Sequence, residues 1–69
     1  MNEAIQPPAA LLGRSKVQER TTLSRSSLYA MIARGDFPAP VKISGRRVAW
    51  PEATVNEWIQ SRIDSSPTI

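Results

Sequence analysis

At 69 residues the chain can bury only one modest core, and with no cysteine neither disulfides nor a thiolate metal site can supplement it. Nine Lys and Arg against six Asp and Glu give +3 at pH 7, and eight of those bases lie between Arg14 and Arg47 against only Glu19 and Asp36, a local net of +6 that points one face at a polyanion. No run approaches the roughly 20 apolar residues that cross a bilayer, and the opening MNEAIQPPAALLG has no basic segment ahead of an apolar one, so no membrane anchor, no signal peptide and a cytoplasmic location are expected.

Residues 1–10, with Pro7-Pro8 and little periodicity, and residues 64–69, with a proline and two serines, read as flexible arms. Residues 11–63 are left as the ordered domain. A first short helix is signalled over Ser15–Arg20, where Ser15 and Gln18 have the spacing of a capping box and Leu12 and Val17 can pack near its start. A second start signal is Ser24, and the helix it caps runs from Arg25 through Arg34 to stop at Gly35. Thr21, Thr22 and Leu23 are all that separates the two, the steep crossing of a helix-turn-helix.

Asp36-Phe37-Pro38-Ala39-Pro40 cannot be helical, because each proline holds the residue before it extended; Phe37 is expected to pin this crossing loop to the core. A hairpin follows. With Gly45-Arg46 as its two-residue turn, Ser44 pairs with Arg47, Ile43 with Val48, Lys42 with Ala49 and Val41 with Trp50. Val41, Ile43, Val48 and Trp50 then share the inner face, and Lys42 and Ala49 the outer one. Pro51 suits a first helical turn, and a third helix over Glu52–Ile63 places Val55, Trp58, Ile59 and Ile63 three and four residues apart on one face. The expected fold class is therefore mainly α with a small β-hairpin, a winged helix-turn-helix.

Catalysis finds little to work with. There is no histidine or cysteine, and of the scattered carboxylates only Glu52 and Glu57 share a predicted element, five residues apart and so on different faces. No metal-ligand spacing and no phosphate-cradling glycine loop occurs, so no enzyme activity, metal or cofactor is expected.

The second helix is more informative. At about 100° per residue, Leu28, Met31 and Ile32 face the core. Ser26, Ala30 and Ala33 lie opposite, Ser27 and Tyr29 flank that outward face, Arg34 lies near Ser27, and Arg25 stands at the N-terminal shoulder. Short side chains let a helix approach base edges, so Arg25, Ser26, Ser27, Tyr29, Ala30 and Arg34 are candidates for a major-groove contact, although Tyr29 also suits half-buried packing. At the hairpin, Lys42, Arg46 and Arg47 are candidates for a minor-groove or phosphate contact, and Ser15 and Lys16 on the first helix for the DNA backbone. Trp50 and Trp58 read as core. The plainer alternative is a solvated surface, or a protein-interaction module that docks an acidic partner on a winged scaffold.

Leu12 to Val17, Thr22-Leu23-Ser24-Arg25-Ser26-Ser27-Leu28-Tyr29, Gly35-Asp36-Phe37-Pro38-Ala39-Pro40-Val41, and Trp50 with Val55, Trp58 and Arg62 resemble the AlpA family of phage and prophage regulators, close to the excisionases and to the DNA-binding domain of MerR-type regulators. The resemblance covers nearly all of 11–63. It implies a winged helix-turn-helix that binds double-stranded DNA near an integrase gene or attachment site, as transcription regulator or as recombination directionality factor. Integrase or RNA polymerase are the protein partners it implies. By position it puts Arg25, Ser26, Ser27 and Tyr29 in the major groove and Arg46 and Arg47 at the neighbouring minor groove or backbone. A turn position usually filled by glycine in that family is Thr22 here, and since a β-branched residue is costly at positive φ, a somewhat different turn is expected. No MerR-type dimerisation helix follows Ile63, so no small-molecule effector is expected. One recognition helix reads few base pairs, which predicts cooperative self-association on DNA.

Overall fold

The computed structural model describes residues 9–66; the expected arm is outside it as far as residue 8, as is the tail from 67. In chain order the elements are β1 (Leu11–Leu12), α1 (Arg14–Thr21), α2 (Arg25–Arg34), β2 (Val41–Ser44), β3 (Arg47–Pro51) and α3 (Glu52–Ser65). The strands form an antiparallel sheet in the order β1-β3-β2. This is the winged helix-turn-helix architecture, three helices with a small sheet, and it carries one strand more than the hairpin expected from sequence. Two residues are too short to show alternation, so Leu11-Leu12 left no strand signal; Leu11 pairs with Pro51 and Leu12 with Trp50.

That pairing also displaces the first helix start. The chain turns from β1 into α1 at Gly13, whose carbonyl accepts from the Val17 N–H at 3.0 Å, so the helix begins one residue before Ser15. Ser15 is already helical and cannot cap. The Ser15–Gln18 capping box is therefore not formed, and Gln18 instead sends its amide to the Leu23 carbonyl at 3.4 Å. α1 ends at Thr22, in the left-handed conformation at φ 64° and ψ 12°, with its N–H on the Gln18 carbonyl at 2.7 Å. Against expectation, threonine leaves the left-handed turn in place. The neighbouring Thr21 hydroxyl, bonded back to the Val17 carbonyl at 2.8 Å, helps to close it.

Both predicted caps of α2 are present. Ser24 Oγ accepts from the Ser27 N–H at 3.1 Å. Beyond Arg34, Gly35 adopts φ 81°, its N–H on the Ile32 carbonyl (3.0 Å) and that of Asp36 on the Met31 carbonyl (2.8 Å), the two bonds of a Schellman motif.

The wing departs from the predicted register. Ser44 does oppose Arg47, but an irregularity at Ile43 sets Lys42 opposite Val48 and Val41 opposite Ala49. An extra residue in one strand of a ladder shifts every later pair by one. Val41 and Ile43, expected inside, are consequently exposed; Ala49, expected outside, is buried on central strand β3 although its neighbours Val48 and Trp50 keep the core face. β2 has no buried residue at all, so of the two wing strands only β3 faces the core.

The core comprises Val17, Leu28, Phe37, Trp50 and Val55, with Leu12, Leu23, Met31, Ile32, Val48, Trp58 and Ile59 packed against it. Phe37 is its hub. It meets Trp50 edge-on at 6.4 Å and Trp58 at 4.7 Å between ring centroids, pairings worth about 0.5–1.5 kcal/mol each beyond their burial. Trp50 Nε1 donates to the Pro38 carbonyl at 2.9 Å, tying the crossing loop to β3. Pro51 ends β3 and stands just before α3 instead of inside its first turn. Glu52 donates its N–H to the Ala10 carbonyl at 2.9 Å. α3 continues to Ser65 and so includes Asp64, which sequence placed in the tail. Ile63, expected to close the core, is 61% exposed because this last stretch of helix runs beyond the packed layer.

Candidate nucleic-acid interface

Burying Leu28 completely fixes the rotation of α2, and the opposite side of the helix is open: Arg25, Ser26, Ser27, Tyr29, Ala30, Ala33 and Arg34 are all exposed. Tyr29 is only just so. The first amides of a helix have no partner inside it, and here Ser24 takes that of Ser27. The N-terminal end of α2 therefore offers the Arg25 and Ser26 amides, small hydroxyls and one guanidinium on a surface without bulk.

On the wing, Lys42, Arg46 and Arg47 are exposed, the two arginines at the tip beside Gly45. Gly45 itself has φ 49°, as a tight turn requires. Ser15 and Lys16 are exposed near the start of α1.

Ion pairing separates these cations more sharply than exposure does. Among the described residues, Arg25, Lys42, Arg46 and Arg47 have no carboxylate partner, whereas Lys16 reaches Glu19 Oε1 at 3.1 Å and Arg34 Nε reaches Asp36 Oδ2 at 3.0 Å. Both acids of the basic stretch are thus set against a base assigned by sequence to DNA. Two further arginines serve the fold: Arg20 bonds Glu52 Oε2 at 3.0 Å and also the Asn56 side chain, joining α1 to α3, and Arg62 lies 4.9 Å over the Trp58 ring. Exposed pairs of the Lys16 and Arg34 kind contribute about 0–1 kcal/mol, so a phosphate can compete for either base.

Two residues that sequence did not single out stand out here. Arg14 opens α1 half-buried, with Nε shielded from solvent and without a hydrogen-bond partner. Its only sequence signal was its place directly after Gly13. Asp36 carries the carboxylate facing Arg34; a pair two residues apart across a helix terminus follows no helical or strand spacing. Among the described residues no group of three His, Cys, Asp or Glu could hold a metal, and no helix is long and apolar enough to cross a membrane.

A family described as Prophage CP4-57 regulatory protein (AlpA) matches residues 10–63, which take in β1, both helices of the helix-turn-helix, the wing and most of α3. The chain is also similar to a protein of Enterobacteria phage P4 described as "Uncharacterized protein ORF88", with 44% identity over 41 residues. These are 59% of this chain and 47% of the phage protein, so the chain spans about half the length of that curated relative.

Proposed function

The chain belongs to the AlpA family of phage regulatory proteins, and from that premise we propose that it binds double-stranded DNA sequence-specifically through α2 and the wing. One observation carries the reading: the open face of α2 is small and ends in an unpaired Arg25, while the wing supplies three more unpaired cations. Arg25, Ser26, Ser27, Tyr29 and Ala30 enter the major groove and read base edges. Lys42, Arg46 and Arg47 hold phosphates or the adjacent minor groove. Ser15 and Lys16 touch the backbone from α1. Arg34 belongs to the interface to the extent that it leaves Asp36.

So small a contact specifies few base pairs, and copies bind cooperatively at adjacent sites. Such an array regulates transcription of an integrase gene by placing RNA polymerase, or serves as an excisionase by bending DNA and recruiting integrase; either way the protein performs no bond chemistry. The test is fluorescence anisotropy with duplexes tiled across the DNA flanking the gene, against a shuffled duplex, at two salt concentrations. One tightly bound tile with a steep salt dependence is the expected result. Weak and equal binding to every duplex would turn the reading toward a module whose cations dock an acidic protein.

A further inference from the structure

Asp36 is the most firmly held charged residue near the recognition helix. Its N–H closes the Schellman motif on Met31 at 2.8 Å, and its carbonyl accepts from Trp58 Nε1 at 2.7 Å and from an Arg62 nitrogen at 3.2 Å. Trp58 is in turn seated on the buried Phe37. Backbone and α3 together therefore fix the Asp36 main chain directly past the C-terminus of α2, and from there its carboxylate accepts from Arg34 Nε at 3.0 Å. Glu19 is the contrast: 70% exposed in its side chain, it pairs with Lys16 from the open surface of α1, with no other bond holding it.

We infer that Asp36 is a specificity-determining residue, whose carboxylate competes with DNA phosphates for the Arg34 guanidinium and so weakens its hold on them. The inference rests on the DNA-binding reading above. A free guanidinium at this position contacts whichever phosphate comes near, and that is sequence-independent affinity. The benefit falls mainly on loosely docked complexes with random DNA, because in the specific complex base contacts already fix the pose of α2. With Arg34 held back, discrimination rests on the end of α2 that has short side chains.

Asp36→Asn removes the charge and keeps the backbone carbonyl that Trp58 and Arg62 use. Anisotropy over a salt series, with shuffled duplex and with the tile that wild type binds most tightly, reads the effect. The expected result is several-fold tighter binding of shuffled duplex, a slope of log K against log salt steeper by up to about 0.9, and a smaller change on the preferred tile. Adding Arg34→Ala to Asp36→Asn should abolish the gain. Unchanged binding of shuffled duplex, an equal gain on both duplexes, or a gain that survives Arg34→Ala would each overturn the inference. If Asp36→Asn does not fold, Asp36→Ser gives the same comparison. Wild type that prefers no tile would overturn the sequence-specific reading and this inference with it; wild type that prefers one, with Asp36→Asn unaltered, overturns this inference alone.

Discussion

The indole N–H of Trp58 donates to the backbone carbonyl of Asp36 at 2.7 Å, across 22 residues of sequence, and so α3 grips α2 by its C-terminal end. The Arg62 guanidinium shares that carbonyl and lies over the same indole. The orientation of α2 in the domain thus depends on a polar clasp as well as on Leu28 in the core.

Trp58→Phe should keep most of the packing on Phe37 and lose the donor. A net hydrogen bond contributes about 0.5–1.5 kcal/mol, and Arg62 still serves the carbonyl, so a loss of about 1 kcal/mol is expected. In a domain of this size that lowers Tm by about 4–8 °C. Thermal unfolding followed by circular dichroism checks it, and an unchanged Tm would mean that the clasp contributes nothing.

The two serines at helix starts give opposite expectations. Ser24→Ala removes the oxygen that accepts the Ser27 N–H and should destabilise by about 1 kcal/mol. Ser15→Ala lies inside α1, caps nothing and should stay within about 0.5 kcal/mol of wild type. Urea titration of both variants distinguishes the cap observed in the structure from the one that sequence spacing suggested.

Thr22 is the sole non-glycine residue at positive φ among the described residues. A left-handed residue with a Cβ costs about 1–2 kcal/mol, part of which glycine gives back through the greater freedom of its unfolded chain. Thr22→Gly should therefore stabilise by about 0.5–1 kcal/mol and leave DNA affinity alone, since the turn already has the shape glycine would adopt. A Tm that falls would show that the threonine hydroxyl does more for the turn than its backbone strain costs.

The second helix was the most legible in the sequence because its signature is local: Ser24 and Gly35 bracket α2, and Leu28 fixes which side of it is buried. What was not legible depends on partners distant in the chain. Leu11-Leu12 becomes a strand only because β3 is there to pair with it, and that pairing brings α1 forward past Ser15. The irregularity at Ile43 turns two apolar side chains outward, although alternation alone pointed them in. On the candidate interface, sequence identified which residues are basic and which face is small. The Lys16–Glu19 pair has ordinary helical i,i+3 spacing, but sequence could not show that Arg34 faces a carboxylate, because that requires knowing where the end of α2 places Asp36.

Arg25 and Arg46 separate base readout from backbone attraction. Both are exposed cations with no carboxylate partner among the described residues, so neither substitution should affect stability beyond about 0.5 kcal/mol. Arg25 stands at the end of α2 that enters the groove in the proposed binding mode, where an arginine bonded to a guanine edge accounts for about 1–3 kcal/mol of discrimination. Arg25→Ala should then weaken the preferred duplex by about 5–150-fold and the shuffled duplex much less, so that the ratio between them collapses. Arg46 stands at the wing tip, where the proposed binding mode has it neutralise a phosphate. Arg46→Ala should weaken both duplexes by a similar factor and make the salt slope shallower by about 0.9 while the ratio holds. Equal losses on both duplexes for Arg25→Ala would move base readout away from the N-terminal end of α2, and a collapse of the ratio for Arg46→Ala would move it to the wing.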